Sequence, residues 1–492
     1  MRASMAPTLS ERILARASGL KEVCAGDFVE ASVNLAMAHE SARLAIVGLN
    51  EIFREGRPWR HGPALDPTNA PAGWARNRGR VHRGRRARVW DPNRIVIILD
   101  HRAPAESEES ASVHRLIRDF VREQGIRSFY DVGEGVCHQV LAEEGHVLPG
   151  TLIVGSDSHT TTHGALGAFA TGIGATEMAA VWATGKIWLR VPATIKVSLR
   201  GRLGRGVTAK DAALYLVKEL GAGGAEYRAI EFWGALGAMS ISSRMTLCNM
   251  AVEAGAKAAM VPPDARTLAF LRAAPPGSPA RYWIKTAAAR RRGAGESMES
   301  CGGSGRMFRA CLGMREYREE AGEDGAVYER ELELNLSSLE PQVACPHSVD
   351  NVKDIRDVEG IEIDQAFLGS CTNGSLEDLQ AAARILRKRR VQKGVRLIVA
   401  PASRRVYIEG LRRGLIATLV GAGALVLSPG CGPCLGAHMG LLAPGEVCIS
   451  TTSRNFRGRM GSHQAEIYLA SPVTVAASAA SGRITDPRRM LG

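Results

Sequence analysis

Three cysteines, Cys371, Cys431 and Cys434, stand in two short glycine-containing motifs that are suited to hold a metal centre. Cys371 lies in Gly-Ser-Cys-Thr-Asn-Gly (369–374), and the other two lie in Pro-Gly-Cys-Gly-Pro-Cys-Leu-Gly (429–436). A structural zinc site normally closes with four Cys or His ligands, and Cys345 or His438 could supply the fourth. A three-cysteine iron–sulfur cubane instead leaves one iron open, which is the arrangement of a Lewis-acid catalyst. The residues alone do not decide between a zinc site and an iron–sulfur cluster.

The segments around these cysteines predict a parallel sheet. Apolar, strand-like runs at 363–368, 395–400 and 424–427 alternate with helical patterns at 375–388 and 403–420. Ser375 is a favourable N-cap, and Glu377 and Asp378 place negative charge at the start of the first helix. The order β-α-β-α-β favours parallel strands, whose ligands gather at the carboxyl edge of the sheet. We therefore expect the three thiols to converge.

Acid and histidine residues recur just after other predicted strands. Asp100-His101 follows an apolar strand at 94–99, and Asp157-Ser158-His159 follows a strand at 151–155. The alternation of apolar and polar residues before His39-Glu40 predicts a single strand that ends there. His138 lies in the sequence between Asp100-His101 and Asp157-Ser158-His159. A single histidine is more often structural, but this repetition beside a metal candidate favours a functional role.

The glycine-rich stretch at 164–185 does not complete a nucleotide-binding motif. It lacks the third glycine of a dinucleotide fingerprint, and Gly185-Lys186 lacks the earlier glycine and the Ser or Thr of a phosphate loop. Close helix packing is the better interpretation.

The cysteine motifs resemble the cluster-binding region of the aconitase family, most closely its two-subunit dehydratase branch. The resemblance covers about 1–52, 89–272 and 325–492. It implies an α/β fold of three domains with mainly parallel sheets around an iron–sulfur cluster, without the family's swivel domain. The domains would span 1–195, 196–340 and 341–492, with odd insertions at 56–88 and 273–323.

The resemblance also implies roles for individual residues. Cys371, Cys431 and Cys434 would hold a [4Fe-4S] cluster, with Asn249 beside it. Acid–histidine pairs would form between Asp100 and His101, Asp157 and His138, and Glu253 and His159, with His101 as the proton donor. Ser158, Arg454 and Arg459 match substrate-binding positions. The chain departs from the family at Glu40, where Asp is typical before a Thr and a Pro, and at Ser453, where Asn is frequent.

The implied activity is that of a hydro-lyase that interconverts 2- and 3-isopropylmalate in leucine biosynthesis by dehydration and rehydration. The homoaconitase reaction of lysine biosynthesis is the close alternative. The family's catalytic base is a serine on the swivel domain, so we expect a small subunit that carries that domain, in a heterodimer or larger assembly. An RNA-binding aconitase-like regulator and an inactive product are alternatives of another class.

Composition sets wider bounds. The 492 residues are 45% hydrophobic and 23% charged, without an apolar run long enough to span a membrane. Ten cysteines in a chain of this length fit a reducing compartment, so the cytoplasm is expected. The net charge of +13 is concentrated at 54–88, where ten arginines oppose two acids, and we expect a solvated loop there rather than a nucleic-acid site. The stretches at 56–88 and 273–323 could be insertions, disordered loops or frame errors, and Cys301 and Cys311 are poor ligand candidates.

Overall fold

The computed structural model describes residues 6–55, 87–293 and 325–491. The strands are β1 Phe28–Ser32, β2 Leu35–Ala38, β3 Ile95–Ile98, β4 Ser128–Tyr130, β5 Leu152–Gly155, β6 Phe169–Gly172, β7 Lys186–Arg190, β8 Thr194–Arg200, β9 Ala229–Gly234, β10 Ala258–Met260, β11 Arg330–Asn335, β12 Gln342–Ala344, β13 Val352–Asp354, β14 Gln365–Leu368, β15 Arg396–Val399, β16 Leu425–Val426, β17 Val447–Ser450 and β18 Glu466–Leu469.

The α-helices alternate with these strands along most of the described chain. They are α1 Leu9–Ser18, α2 Ala42–Glu55, α3 Glu108–Gln124, α4 Cys137–Glu143, α5 Ala175–Thr184, α6 Ala209–Leu220, α7 Ile241–Met250, α8 Ala265–Arg272, α9 Pro279–Gly293, α10 Ser370–Asn373, α11 Leu376–Leu386, α12 Arg404–Arg412, α13 Leu415–Ala422 and α14 Pro472–Ser481. None of the described helices combines the length and the apolar character that a membrane span requires.

Three larger sheets organise the described chain. A five-stranded sheet has the order β4-β3-β2-β5-β6, and a four-stranded sheet has the order β10-β9-β8-β11. All neighbours in both sheets are parallel. A seven-stranded sheet has the order β13-β12-β18-β17-β14-β15-β16, in which only β12 runs antiparallel to its neighbours. The predicted α/β class with mainly parallel sheets is confirmed, and the division into three domains stays a prediction.

One hydrophobic cluster joins the three sheets. It contains Ile98 of the first sheet, Phe232 of the second and Phe367 of the third, all fully buried. Side chains that pack together from separate sheets fix the sheets against one another. The loops at the strand ends are thereby carried on a common core.

The predicted β-α-β-α-β unit is confirmed in β14 to β16, which pair in parallel register. Ser375 caps α11 as expected, because its side chain accepts from the Asp378 N–H in a capping box. The helix predicted at 403–420 is wrong in one respect, since it divides into α12 and α13. Gly414, between them, has φ 70°, a left-handed conformation that glycine adopts without strain.

The single strand predicted before His39-Glu40 is also two strands. β1 pairs antiparallel with β7 in a separate two-stranded ribbon, whereas β2 joins the five-stranded sheet. β1 alternates exposed and buried residues, but β2 is buried throughout. The two segments therefore belong to different environments, although β2 does end just before His39.

The two unusual stretches lie only partly within the described residues. Residues 56–86 and 294–324, with most of the basic segment and with Cys301 and Cys311, fall outside them. Part of the second stretch folds as α9, and Ala280 is fully buried against Gly145. The start of α9 is thus folded and packed, and the interpretation of residues 273–323 as an odd insertion stays a prediction.

Candidate functional site

The candidate residues lie where neighbouring parallel strands end. In the five-stranded sheet, β3 leads into Asp100-His101 and β5 leads into Asp157-Ser158-His159. In the seven-stranded sheet, β14 leads into Cys371, β16 leads into the Cys431–Cys434 segment and β17 leads into Ser453-Arg454. Both sheets thus present their carboxyl edges to one region, as expected for parallel sheets that bind ligands.

A cavity of about 90 Å³ joins these strand ends. It is lined by His101, Val136, His138, Asp157, His159, Ser370, Cys371, Cys431, Cys434, Leu435, Arg454 and Arg459. The other predicted site residues, Asp100, Ser158, Asn249 and Glu253, lie behind this lining, and each is hydrogen-bonded to a member of it. A larger surface cavity of about 290 Å³ at Phe28 and Trp188 contains none of the predicted residues.

The three cysteine thiols fit a cationic centre. Burial, followed by the charges of Cys434 and Asp157, raises the pKa of Cys371 to about 12. Burial and the charges of Asp100 and Cys434 raise the pKa of Cys431 well above its usual range. Thiolates packed this closely repel one another, so a bound cation is needed to hold them deprotonated together.

Polar groups around the thiols also point to a bound group. The Asn249 side-chain amide donates to Cys371 Sγ at 3.3 Å, and Arg459 Nη2 lies 3.7 Å from Cys434 Sγ. The buried Arg459 Nε has no hydrogen-bond partner within the described part of the chain. An unpaired buried donor beside three thiols fits an acceptor that occupies the cavity, such as a sulfide or a substrate carboxylate.

Neither proposed fourth zinc ligand lines this cavity. Cys345 is buried in a hydrophobic cluster with Val343 and Ile363, and the His438 ring is hydrogen-bonded to the Pro104 carbonyl at 2.8 Å. Within the described residues, the cavity lining thus holds the three cysteines without either proposed fourth ligand, which disfavours a closed zinc site completed by Cys345 or His438.

Asp100 orients His101. Asp100 Oδ1 lies 2.6 Å from His101 Nδ1, and Asp100 Oδ2 accepts from the Cys137 N–H at 2.7 Å. Burial alone would lower the pKa of His101, but the charge and hydrogen bond of Asp100, and then those of Asp157, raise it well above the usual value. His101 therefore carries a proton at neutral pH, and its Nε2 lies 3.4 Å from Oδ2 of Asp157, which also lines the cavity.

Asp157 is shared by three histidines. Its Oδ1 lies 2.9 Å from His138 Nε2 and accepts from the His159 N–H at 2.7 Å, and its Oδ2 lies 3.4 Å from His101 Nε2. Burial would raise the pKa of Asp157, but hydrogen bonds from the three histidines hold it well below the usual range. The carboxylate thus stays charged and couples the histidines.

Glu253 connects His159 to Arg454. Its Oε1 lies 2.8 Å from His159 Nε2, and its Oε2 accepts from Arg454 Nε at 3.0 Å. Arg454 also donates to the Ser158 hydroxyl at 3.0 Å, which fixes the guanidinium from two sides. The Ser453 hydroxyl lies 2.9 Å from His159 Nε2, so the residue that departs from the family pattern takes part in this network.

Lys210 contacts the segment that carries Ser453-Arg454, and the sequence analysis did not predict this contact. Its fully buried Nζ donates to the carbonyls of Thr451 and Thr452, at 3.1 and 2.7 Å, just before Ser453-Arg454. Burial lowers the pKa of Lys210 to about 8. The sequence carries no signal for this contact, because a lysine near the start of an amphipathic helix is usually exposed.

Comparison with known proteins gives the family of this chain. The model of the aconitase family (aconitate hydratase) matches residues 76–299 and 350–482. The chain belongs to the aconitase family. It is 48% identical to 3-isopropylmalate dehydratase large subunit 1 of Methanopyrus kandleri over 489 residues, which cover 99% of this chain and 100% of the relative.

Other aconitase-family relatives have a different name. The chain is 44% identical to a probable methanogen homoaconitase large subunit of Methanothermobacter thermautotrophicus, over 98% of both chains. It is 48% identical to the homoaconitase large subunit of Thermus thermophilus, over 81% of this chain and 85% of the relative. All the predicted site residues lie inside the two segments that match the aconitase family model.

Proposed function

We propose that this chain is the large subunit of a 3-isopropylmalate dehydratase, a hydro-lyase that interconverts 2- and 3-isopropylmalate. One observation carries the proposal. Three cysteines and three acid–histidine pairs surround one cavity, in a chain 48% identical over 99% of its length to a relative of that name. Homoaconitase large subunit is the second candidate, because relatives of that name match at 44 and 48% identity.

In this proposal, Cys371, Cys431 and Cys434 hold a [4Fe-4S] cluster, and Asn249 and Arg459 donate toward its cysteine sulfurs. When bound, such a cluster supplies Lewis acidity that helps a hydroxyl group to leave. Hydroxide is a poor leaving group, so a proton donor is needed as well. We assign this role to His101.

His101 is equipped to give up a proton at Nε2. Asp100 fixes Nδ1, so the ring cannot turn away, and the raised pKa keeps Nε2 protonated until the hydroxyl departs. Asp157 and His138 hold the neighbouring wall, and the Glu253–His159 pair fixes the loop that carries Arg454. These residues keep the donor and the anchors in one geometry, which lowers the entropic cost of reaction.

Arg454 and Arg459 are the anchors for substrate carboxylates. A guanidinium can bind a carboxylate through two parallel hydrogen bonds, and both side chains line the cavity. Ser158 restrains Arg454 by accepting one of its hydrogen bonds. Two cations at one wall suit a substrate with two carboxylates.

We propose that the base that removes the proton next to a carboxylate comes from a small subunit. Asp157, the carboxylate in the described cavity lining, is already hydrogen-bonded to histidines, and its pKa is low, so it is a weak base. The relatives' names describe large subunits, which supports a partner.

Anaerobic reconstitution of the purified chain with iron and sulfide tests the cofactor. We expect a broad visible absorption and bound iron, both lost in Cys434→Ser. Cys448→Ser is the matched control, because Cys448 is fully buried in β17 but does not line the cavity. A colourless, folded wild-type chain would contradict the proposal.

Addition of a small subunit then tests the reaction. We expect turnover of isopropylmalate by the reconstituted pair and essentially none by the large chain alone. Turnover of homoaconitate in place of isopropylmalate would select the second candidate. Full turnover by the large chain alone would refute the requirement for a partner.

A further inference from the structure

Glu40, which stands where the family pattern has Asp, turns into the protein rather than toward the cavity. It follows β2, is only 9% exposed and does not line the cavity. The residue therefore does not contact a substrate in the cavity. Its contacts are instead with the segment that carries His101.

Glu40 binds the backbone of His101 and Arg102. The His101 N–H donates to its two carboxylate oxygens at 3.0 and 3.2 Å, and the Arg102 N–H donates to Oε1 at 3.0 Å. These N–H groups come just after the end of β3, where the strand ladder no longer supplies partners. The carboxylate thus replaces the missing strand partner at the point where the chain turns.

The charge of Glu40 strengthens this contact. Burial would raise its pKa, but His114 and His39 and the charge of His101 hold the pKa well below the usual range. Hydrogen bonds to an ionised acceptor are about twice as strong as neutral ones. Glu40 therefore remains a charged carboxylate that accepts hydrogen bonds from two backbone N–H groups.

His39, the residue before Glu40, packs against the His101 ring. The ring centroids are 4.1 Å apart and the planes differ by 23°. The His39 ring nitrogen Nε2 lies 3.2 Å from the Ser156 carbonyl, which ties this ring to the loop that carries Asp157. His101 is thus held at its backbone by Glu40, at one ring face by His39 and at Nδ1 by Asp100.

From these contacts we infer that Glu40 is a positioning residue for His101, and that it holds the backbone of the proton donor where His101 lines the cavity beside Asp157. This inference rests on the proposed function. A carboxylate with a merely structural role would stabilise the fold without a selective effect on turnover. Placement of the donor predicts instead a loss in kcat at nearly constant KM, because the donor acts in the transition state and does not anchor the substrate.

The test compares Glu40→Gln, Glu40→Asp and Glu109→Gln in the full large chain, reconstituted with its cluster and combined with the small subunit. Glu40→Gln keeps the shape but loses the charge, and Glu40→Asp keeps the charge but shortens the reach. Glu109 is the matched control, because it pairs with Arg43 on the surface and is 80% exposed. Visible absorption, iron content and thermal unfolding are measured beside kcat and KM for isopropylmalate.

We expect Glu40→Gln to lower kcat about 10- to 100-fold with KM within about twofold, at unchanged cluster absorption. Glu40→Asp should restore part of the loss, and Glu109→Gln should behave as wild type. The inference is overturned if kcat falls only in proportion to lost cluster or folded protein, or if the loss lies in KM. If Glu40→Gln does not fold, full kcat in Glu40→Asp overturns the inference and an intermediate kcat supports it. A wild-type pair without turnover refutes the proposed function instead.

Discussion

The acidity of His101 gives the sharpest prediction about the site. Asp100→Asn removes the charge 2.6 Å from His101 Nδ1, and Asp157→Asn removes the charge 3.4 Å from Nε2. A hydrogen bond to a charged group contributes about 1.5–3 kcal/mol, and one pKa unit corresponds to about 1.4 kcal/mol. Asp100→Asn should therefore weaken the hold of His101 on its proton by about 1.5–3 kcal/mol, which lowers the pKa of His101. The longer Asp157 contact should lower the pKa of His101 less, when it is removed, than loss of the Asp100 contact does.

The direction of the pH effect follows from the proposed role of His101 as proton donor. A proton donor is active below its pKa, and activity is lost as the pH rises through it. The alkaline limb of kcat/KM for isopropylmalate should therefore move to lower pH in both variants, and farther in Asp100→Asn. The assay is kcat/KM against pH for the reconstituted two-subunit enzyme, and Asp119→Asn, at an exposed residue of α3, is the control.

The pH dependence of the melting temperature tests the raised pKa of His101 independently. A histidine with a raised folded-state pKa stabilises the protein fully below about pH 6.5, and this contribution is lost as the pH rises through the folded pKa. The melting temperature of the wild type should thus fall more between neutral and alkaline pH than that of Asp100→Asn. An alkaline limb that stays within about 0.3 pH units of wild type in both variants would refute the reasoning, because it corresponds to only about 0.4 kcal/mol, well below the loss of about 1.5 kcal/mol or more expected for Asp100→Asn.

Two further substitutions test the loops around the cavity. At Gly172→Ala the new Cβ would lie 2.7 Å from the Asp157 carbonyl oxygen and 2.8 Å from Ser158 Cα, so the loop must shift. We expect kcat/KM to fall at least about tenfold, whereas Gly421→Ala, with nothing within 4 Å, should keep it; equal values would contradict this. Arg454→Lys removes the planar guanidinium that donates to Glu253 and Ser158. We expect KM to rise about 10- to 100-fold. An unchanged KM would show that Arg454 does not anchor the substrate.

Strand ends were the part of the site that the sequence could predict. Asp100-His101, Asp157–His159 and Cys371 each follow an apolar run, and the parallel arrangement brings such ends to one edge. Short runs of buried residues such as Ile95–Ile98 give a strong signal, because parallel strands are covered on both faces. The general location of the site therefore follows from the sequence alone.

The contacts between those ends could not be predicted from periodicity. The strand order β4-β3-β2-β5-β6 differs from the chain order, so β2 separates β3 from β5 although it precedes both. The sharing of Asp157 among three histidines depends on turn conformations that no apolar pattern encodes. The acid–histidine pairs could be predicted only from the resemblance to a family, and the contact made by Lys210 could not be predicted at all.

The division of β1 from β2 has a signal in the sequence, which the prediction of a single strand did not use. Residues 28–32 alternate in burial, but residues 35–38 are all apolar and buried, which is typical of a strand covered on both faces. A change from alternation to continuity marks a change of environment. The distinction matters for function, because it places Glu40 after a central strand, beside β3, rather than at the end of an exposed ribbon.

The cavity lining bears on the choice between the two candidate substrates. Its described residues include two arginines but only two aliphatic side chains, Val136 and Leu435. Isopropylmalate has two carboxylates, which Arg454 and Arg459 can bind, and one branched apolar group, for which two aliphatic side chains form only part of a pocket. Homoaconitate has a third carboxylate, which would need another cation. The proposed small subunit must therefore add apolar surface for the first substrate or a cation for the second, and that difference decides which reaction the pair performs.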